Sequence, residues 1–294
     1  MKMHVGIISH SVILAEKKRT VEEIVNGDSE KVENMRNIGL DKVPADNERL
    51  LEDMILEAVR KIDKQPDLII IAHSIPFIFS DWKRFMKEMN PVETISMGGM
   101  PCAAMHAAVN IACKYIENEI YNDILVVGAD KAYSDKERCF FHTIMGDGVV
   151  ALLIGKKGFQ SEVVSSNVQT CVIAANGENS DEKDIAEFRA VNAMLVRAAI
   201  EKTVKDANLS MDDIDYYIPH TSNKTFWNVL SKLIHVDRSR FLDSNMCNTG
   251  HMNSHDSFYH FIKLKEEGVI KDGNKVLLVN PGFGGTQGCT LIAV

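Results

Sequence analysis

Residues 275–294 read KVLLVNPGFGGTQGCTLIAV, which is a short apolar run, a glycine-rich turn and a second apolar run. Residues 123–155 repeat this order, from DILVVG through a polar loop to GDGVVALLIG. Short runs that are apolar throughout and bounded by polar residues are typical of strands buried on both faces. Helix-like stretches precede both units, at residues 103–116 and 257–267. The sequence therefore predicts the unit helix, strand, glycine turn, strand in each half of the chain.

A second pair of similar segments lies before these units in the sequence. PDLIIIAHS at residues 66–74 is similar to IDYYIPHTS at residues 214–222. Alternating strands and helices indicate an α/β protein, and the repeat is too long for a solenoid. We predict an internally duplicated α/β fold with halves 1–160 and 161–294. We favour this interpretation over the alternative that any α/β chain contains strands as similar as these.

The composition limits the class of protein. The chain has 294 residues, 45% hydrophobic and 25% charged, which is the profile of an ordinary globular protein. Its 33 basic and 41 acidic residues give a net charge of −8, which argues against sequence-independent nucleic-acid binding. No apolar run approaches the roughly 18 residues that would cross a membrane. The six cysteines form no Cys-x-x-Cys pair, which predicts reduced thiols and a cytoplasmic location.

The first candidate for chemistry is Cys102, in the segment SMGGMPCAAMH at residues 96–106. Proline suits the first position of a helix, so Pro101 predicts that Cys102 lies in the first turn. Unpaired N–H groups and the helix dipole favour a thiolate there. The same N–H groups, with a glycine of residues 282–285, are expected to hold an oxyanion. The alternative is that Cys102 is simply a small buried hydrophobe.

Partners for the thiolate are expected from the second half. His220 follows the predicted strand at residues 216–218, at the edge where open α/β sheets bind ligands. The polar loop NMCNTGHMNSHDS at residues 245–257 corresponds, by the internal repeat, to the Cys102 loop. A pseudo-twofold arrangement of the halves would bring both loops to one cavity. Its candidate catalytic residues are Asn248, His251 and Asp256.

Taken together, these motifs resemble the thiolase-like family, and most closely its β-ketoacyl-acyl-carrier-protein synthase III branch. The resemblance runs over nearly the whole chain and implies a five-layer αβαβα fold, a homodimer and an acyl group carried as a thioester on Cys102. The family's first histidine maps onto His220, and the Asn of its Pro-His-x-x-Asn stretch maps onto Asn223, a substrate-binding position. The motifs, in chain order, are GGMPCAAM at 98–105, MGDGVVALL at 145–153, IPHTSN at 218–223, NTGH at 248–251 and GFGG at 282–285.

The third catalytic position has two candidates. Asn248-Thr249 is similar to the Asn-Thr of the branch, but Cys247 stands where its glycine is expected. Counting back from the following helix places His251 in the same slot, as in thiolases and other ketosynthases. Some ester-forming relatives carry Gly-His-x-x-x-x-Asp, which matches His251 with Asp256. We favour His251 over Asn248 and expect Asp256 to orient it or to act as an acid.

The substrate entrance departs from the branch. The branch usually has a tryptophan that stacks on the adenine of coenzyme A, but here no tryptophan precedes Trp82. Arg138 is the candidate for contacting a phosphate or a carrier protein, and Gly284 and Gly285 are further candidates for substrate binding. The donor is accordingly acyl-CoA or the phosphopantetheine of an acyl carrier protein, with no permanently bound cofactor.

The expected function is acyl transfer of the synthase III type, through decarboxylative condensation with a malonyl-type thioester. One alternative is an ester- or amide-forming acyltransferase of the same fold, in which a histidine acts as general base. Another is a non-catalytic partner subunit, although such partners usually lack the cysteine. A metal-dependent hydrolase built on His251, His255 and His260 is the least favoured, and we predict no metal, nucleic-acid or membrane partner.

Overall fold

The computed structural model describes residues 4–76, 79–89, 92–140, 143–221, 224–243 and 246–294. The strands are β1 (Gly6–Leu14), β2 (Lys18–Thr20), β3 (Lys42–Pro44), β4 (Leu68–Ala72), β5 (Glu93–Met97), β6 (Asp123–Asp130), β7 (Cys139–Phe140), β8 (Thr143–Ile144), β9 (Gly148–Gly155), β10 (Ser161–Thr170), β11 (Tyr216–Pro219), β12 (Lys275–Pro281) and β13 (Thr286–Ala293). The α-helices are α1 (Val21–Ile24), α2 (Ser29–Asn37), α3 (Leu51–Arg60), α4 (Trp82–Glu88), α5 (Ala104–Glu117), α6 (Asp135–Arg138), α7 (Glu182–Asp206), α8 (Lys224–Leu233), α9 (Met246–Thr249) and α10 (Asp256–Glu266).

The large sheet repeats one strand pattern. Its order is β5-β4-β6-β9-β1-β10-β13-β12-β11. In the first half β4 pairs in parallel with β6, and β9 lies antiparallel between β6 and β1. In the second half β11 pairs in parallel with β12, and β13 lies antiparallel between β12 and β10. The antiparallel pair β1–β10 joins the halves.

The two halves differ at their outer edges. In the first half β5 pairs in parallel with β4 over five residues. At the corresponding place in the second half, Phe241 forms a parallel bridge with Tyr217 of β11. Among the described residues the fifth strand of the second half is thus reduced to this bridge. The predicted boundary at residue 160 falls between β9 and β10 and stays a prediction.

Packing on the sheet creates five layers. Helices α5 and α10 share one buried cluster with one face of both half-sheets, so they form the central layer. Helices α3 and α4 cover the opposite face of the first half-sheet, and α7 and α8 cover that of the second. Strand β9 is buried along its whole length, and β4 likewise, as their apolar sequences predict. The predicted five-layer αβαβα arrangement is confirmed. Within the described residues, the helices lack the combined length and apolarity needed to span a bilayer.

Candidate active site

The backbone of Cys102 differs from the sequence prediction. Helix α5 begins at Ala104, with Ala103 as its N-cap, so Cys102 lies in the turn before the helix. Its φ angle is +47°. This left-handed conformation costs a non-glycine residue about 1–3 kcal/mol and tends to occur at functional sites. The expectation that Cys102 occupies the first helical turn is therefore wrong, because that conformation is incompatible with a right-handed helix.

Contacts from two other segments hold this turn. The Cys102 N–H donates to Ser74 Oγ at 2.9 Å, and its carbonyl accepts from Asn280 Nδ2 at 3.0 Å. A Cβ at Gly282 would lie 2.2 Å from the Pro101 carbonyl oxygen, so only glycine permits this approach. The Cys102 N–H, which is one of the N–H groups that we expected to hold an oxyanion, thus donates to Ser74 in this structure.

Cys102, His251 and Asp256 form a hydrogen-bonded line. Cys102 Sγ lies 3.3 Å from His251 Nε2, and His251 Nδ1 lies 2.6 Å from Asp256 Oδ2. The three residues are 6%, 2% and 0% exposed, respectively. The backbone of His251 forms a parallel β-bridge with Met145, so His251 does not lie in a helix. The order thiol, imidazole, carboxylate is that of a nucleophile, a general base and the group that orients the base.

Asp256 is held as a carboxylate. Its Oδ2 accepts from Thr221 N at 2.9 Å and from His251. Thr221 Oγ1 lies 2.8 Å from Oδ2 and 2.7 Å from the Gly250 carbonyl oxygen, so the two acceptors share one hydroxyl proton. On its other side Oδ1 lies 3.1 Å from His260 Nε2. Burial opposes ionisation, but the interactions with His251 and His260 outweigh it and hold the pKa of Asp256 well below its ordinary value. Asp256 therefore supplies a fixed negative charge behind His251.

The charges on either side of His251 favour its protonation. Burial alone would lower the pKa of His251, but Cys102 and Asp256 outweigh burial and raise it to about 10. His251 is therefore protonated at pH 7, with its Nε2–H beside Cys102 Sγ. When His251 gives up one proton, Asp256 retains the proton on Nδ1, so Nε2 beside the sulfur becomes the basic atom.

His220 is a second imidazole near Cys102, and its surroundings disfavour protonation, whereas those of His251 favour it. Its ring centroid lies 5.0 Å from that of His251, at an interplanar angle of 83°. The indole N–H of Trp227 donates to the His220 carbonyl, and its ring packs against the imidazole. Burial, with repulsion from His251, lowers the pKa of His220 to about 3. His220 is thus neutral at pH 7, and Cys102, His220 and His251 bring ligand-type atoms within 4.8 Å of one another.

Because His220 is neutral in the folded protein, the free energy of unfolding decreases as the pH falls. The unfolded chain protonates His220 near pH 6.5, whereas the folded chain does so only near pH 3, so acidification favours unfolding. From pH 7 to pH 5 the contribution is about 2 kcal/mol. We expect His220→Gln to lose about 2 kcal/mol less unfolding free energy over this range, measured by urea unfolding at both pH values. Equal losses in the two proteins would contradict the buried neutral state.

Asp130 was not foreseen as part of this region. Its Oδ1 accepts from the backbone N–H groups of Ser74 and Ile75 at 2.7 and 2.9 Å. Its Oδ2 accepts from Ser254 N and Oγ at 3.0 and 2.6 Å. Asp130 therefore ties the Ser74 turn, which contacts Cys102, to the turn before Asp256.

A common sequence signal could have found these residues. Ser74, Asp130, His220 and Asn280 lie in or just after the carboxyl ends of β4, β6, β11 and β12, which pair in parallel within each half. This is the edge at which α/β sheets place ligands. The strand-end argument was applied to His220 alone. The role of Thr221 was missed because it depends on a tertiary contact with Asp256.

Two of the expected site residues lie elsewhere. Arg138 is fully buried; its guanidinium pairs with Asp147 at 2.6 Å and donates to Asn47 and to backbone carbonyls. The guanidinium is therefore used inside the protein and faces no solvent. This corrects the expectation that Arg138 binds substrate. Asn248 is exposed on α9, whereas His251 is buried against the sulfur. Of the two candidates for the third catalytic position, His251 is the one that contacts the sulfur.

The remaining expected positions differ in what the structure describes. Asn223 lies outside the described residues. Gly284 and Gly285 have φ angles of +97° and +103° and pack against the backbone of Ala174 and Cys171. In that loop it is Gly282 that approaches the nucleophile turn. Substrate binding by Gly284 and Gly285 stays a prediction.

The histidines of the metal hypothesis diverge. His251 and His260 face different oxygens of Asp256. His255 Nδ1 instead lies 3.7 Å from Asp130 Oδ2. With its Nε2 beside Cys102 and its Nδ1 bonded to Asp256, His251 is already engaged at both nitrogens. The arrangement is that of an acid–base line and not of three imidazoles facing one point.

Comparison with known proteins agrees with this geometry. Residues 99–171 match the family model of 3-oxoacyl-(acyl-carrier-protein) synthase III, and residues 204–294 match the model of its C-terminal part. A β-ketoacyl-(acyl-carrier-protein) synthase III of Clostridium tetani is 26% identical over 277 residues, which cover 81% of each chain. The chain belongs to the synthase III branch of the thiolase-like proteins. This branch comprises acyl-transferring condensing enzymes, so the resemblance stated from the motifs is confirmed.

Solved structures show the same fold. The 3-oxoacyl-(acyl-carrier-protein) synthase III of Aquifex aeolicus VF5 superimposes with a TM-score of 0.81 at 19% identity, covering 99% of this chain and 100% of that one. ChlB3, an acyltransferase, superimposes with a TM-score of 0.85 at 17% identity, covering 99% of this chain and 98% of that one.

Proposed function

We propose that this chain is a thioester-dependent acyltransferase that loads an acyl group onto Cys102 and passes it to a hydroxyl or amine acceptor. The observation that carries the proposal is the buried line Cys102–His251–Asp256. The alternative of a non-catalytic subunit is disfavoured because the nucleophile, the base and the orienting carboxylate are all present and in contact.

In the first half-reaction the Cys102 thiolate attacks the carbonyl carbon of an acyl thioester. A C–S bond forms as the C–S bond to the leaving thiol breaks, and the His251 imidazolium gives its Nε2 proton to that departing sulfur. The products are a free thiol, an acyl-Cys102 thioester and a neutral His251. The donor is proposed to be acyl-CoA or an acyl carrier protein, since the relatives include synthases named for that carrier.

In the second half-reaction the neutral His251 serves as a base. Asp256 keeps the remaining proton on Nδ1, so the lone pair on Nε2 faces the acyl-cysteine. It can remove the proton of an entering O–H or N–H group as that atom attacks the thioester carbon. The new ester or amide leaves, and the proton on His251 restores the thiolate–imidazolium pair. Asp256 thus favours an acceptor that carries a proton to remove.

Decarboxylative condensation is the second candidate. Two hydrogen-bond donors would have to stabilise the enolate formed when a malonyl group loses carbon dioxide. His220 supports this route because it is a neutral imidazole that lies beside His251. The names of the synthase III relatives support it as well. A neutral His251 whose Nδ1 proton is bound to Asp256 offers a lone pair at Nε2 rather than a donor, which favours the first candidate.

The experiment that tests the function has two stages. Intact-protein mass spectrometry first measures acyl mass on the enzyme after incubation with a panel of acyl-CoA and acyl-carrier-protein thioesters. The loaded enzyme is then offered either malonyl thioesters or alcohols and amines. We expect alcohols or amines to release the acyl group as an ester or amide. Release only by malonyl thioesters, with carbon dioxide, would assign the condensation instead.

The homodimer and the cytoplasmic location remain predictions. We propose a homodimer, because β5 ends the large sheet and leaves Ile95 38% exposed at that edge. Addition of a second copy along β5 would continue the sheet. Light scattering of the purified chain measures this directly.

A further inference from the structure

His260 is a buried histidine that the proposed reaction does not use. It lies on α10 one turn after Asp256, and the two side chains therefore share a helix face. Its Nε2 is 3.1 Å from Asp256 Oδ1, and the two side chains are 3% and 0% exposed. The chain thus places an imidazole on each side of one carboxylate, with His251 at Oδ2 and His260 at Oδ1.

The two oxygens of Asp256 have different surroundings. Oδ2 accepts from the Thr221 N–H and from Nδ1 of His251, and it shares the single proton of the Thr221 hydroxyl with the Gly250 carbonyl. The side chain facing Oδ1 is His260. A carboxylate that is fully removed from water needs compensation at both oxygens, because an uncompensated buried charge is costly. As the His260 ring stands, neither Oδ1 nor His260 Nε2 has a partner at a hydrogen-bonding angle among the described residues. A proton on Nε2 turned towards Oδ1 would supply that compensation and would also oppose rotation of the carboxylate.

We propose that His260 is a positioning residue that fixes Asp256 from behind, so that the catalytic line is extended to Cys102–His251–Asp256–His260. This inference rests on the proposed acyl transfer for its kinetic meaning, but its structural content is independent of the acceptor. His260 holds the carboxylate plane, the carboxylate holds the proton on His251 Nδ1, and the basic Nε2 stays directed at Cys102.

The test compares two variants of the full chain. His260→Leu removes the donor and keeps an apolar side chain, whereas His260→Gln places an amide N–H at similar reach. In the proton NMR spectrum in water, the His251 Nδ1–H resonance should lie far downfield, and Asp256→Asn should remove it, which assigns it. We expect His260→Gln to retain this resonance and His260→Leu to shift or broaden it.

A kinetic readout accompanies the spectrum. In single-turnover release from acyl-Cys102, we expect His260→Leu to be about 10-fold slower than the parent, the scale of one lost hydrogen bond to a charged group. His260→Gln should stay within about 3-fold of the parent. The same pair of changes at His4, an exposed histidine, is the control and should alter neither readout.

Equal spectra and equal rates for His260→Leu and His260→Gln would overturn the proposal, since packing alone would then explain the residue. If His260→Leu does not fold, as judged by circular dichroism, His260→Met is the donor-free variant to compare. The spectrum is recorded without substrate. An unchanged spectrum in the donor-free variant therefore refutes the positioning role, whereas failure of acyl release in the parent refutes the proposed function.

Discussion

Replacing Cys102 by alanine is expected to abolish the acyl adduct and to lower turnover by about 10⁴-fold. The sulfur is the nucleophile of the proposed first half-reaction, and the side chains brought to it are imidazoles, His251 at 3.3 Å among them. Without a covalent intermediate, neither imidazole can accept the acyl group from the donor in the geometry described. Intact-protein mass spectrometry measures the adduct, and release of free CoA measures turnover.

Cys113→Ala is the matched control. Cys113 is also a buried cysteine without a disulfide, on α5, so the change removes a thiol of similar burial and leaves the turn before the helix intact. Full acylation of Cys113→Ala and none of Cys102→Ala would support the assignment. Stable acylation of Cys102→Ala on another residue would refute it, and peptide mapping would identify that residue.

Asp256→Asn should slow acyl transfer by about 10³-fold, because it removes the buried negative charge behind His251 while preserving the shape of the side chain. The N–H groups of Thr221 and His251 that face Oδ2 would draw the amide oxygen to that position and leave the amide nitrogen facing His260. The imidazolium would then lose its charged partner. Rapid-quench measurements of loading and of release should both be slower, since the first needs the thiolate–imidazolium pair and the second needs the base.

Asp272→Asn, a change at an exposed aspartate, is the control for the loss of one carboxylate. Asp256→Asn activity within about 10-fold of the parent would exclude the charged line, since an orienting carboxylate contributes far more than that in triads. The variant also separates the two candidate reactions. Malonyl decarboxylation that survives while ester formation is lost would show that the two imidazoles, without the charge, suffice for condensation.

Much of the fold could be predicted because it depends on patterns that are local in sequence. Strands β4 and β9 are apolar over their length, β6 and β12 are apolar between their ends, and β13 ends in an apolar run; burial on both faces produces such runs. The runs of the first half recur in the second half, and this repeat predicted the duplication. The reduced edge at Phe241 could not be predicted, because one bridging residue leaves no periodic signal.

The site was predicted in part. His220 could be placed at the sheet edge because it follows a predicted strand. The loop with His251 and Asp256 could be placed near Cys102 from the internal repeat. The conformation of Cys102 could not be predicted, because Pro101 before Cys102 and an alanine pair is compatible with a helix start. Tertiary contacts from Ser74 and Asn280 hold the turn instead. Arg138 was misassigned because sequence gives no indication that Asp147 pairs with it in the interior.

The central layer has a thermodynamic consequence for the whole chain. Helices α5 and α10 belong to a single apolar cluster with both half-sheets, so separating the halves would expose the inner face of each to water. Neither fragment would keep a complete interior, and we expect cooperative melting in one transition. Thermal inactivation should therefore coincide with global denaturation, without a stage in which one half survives alone.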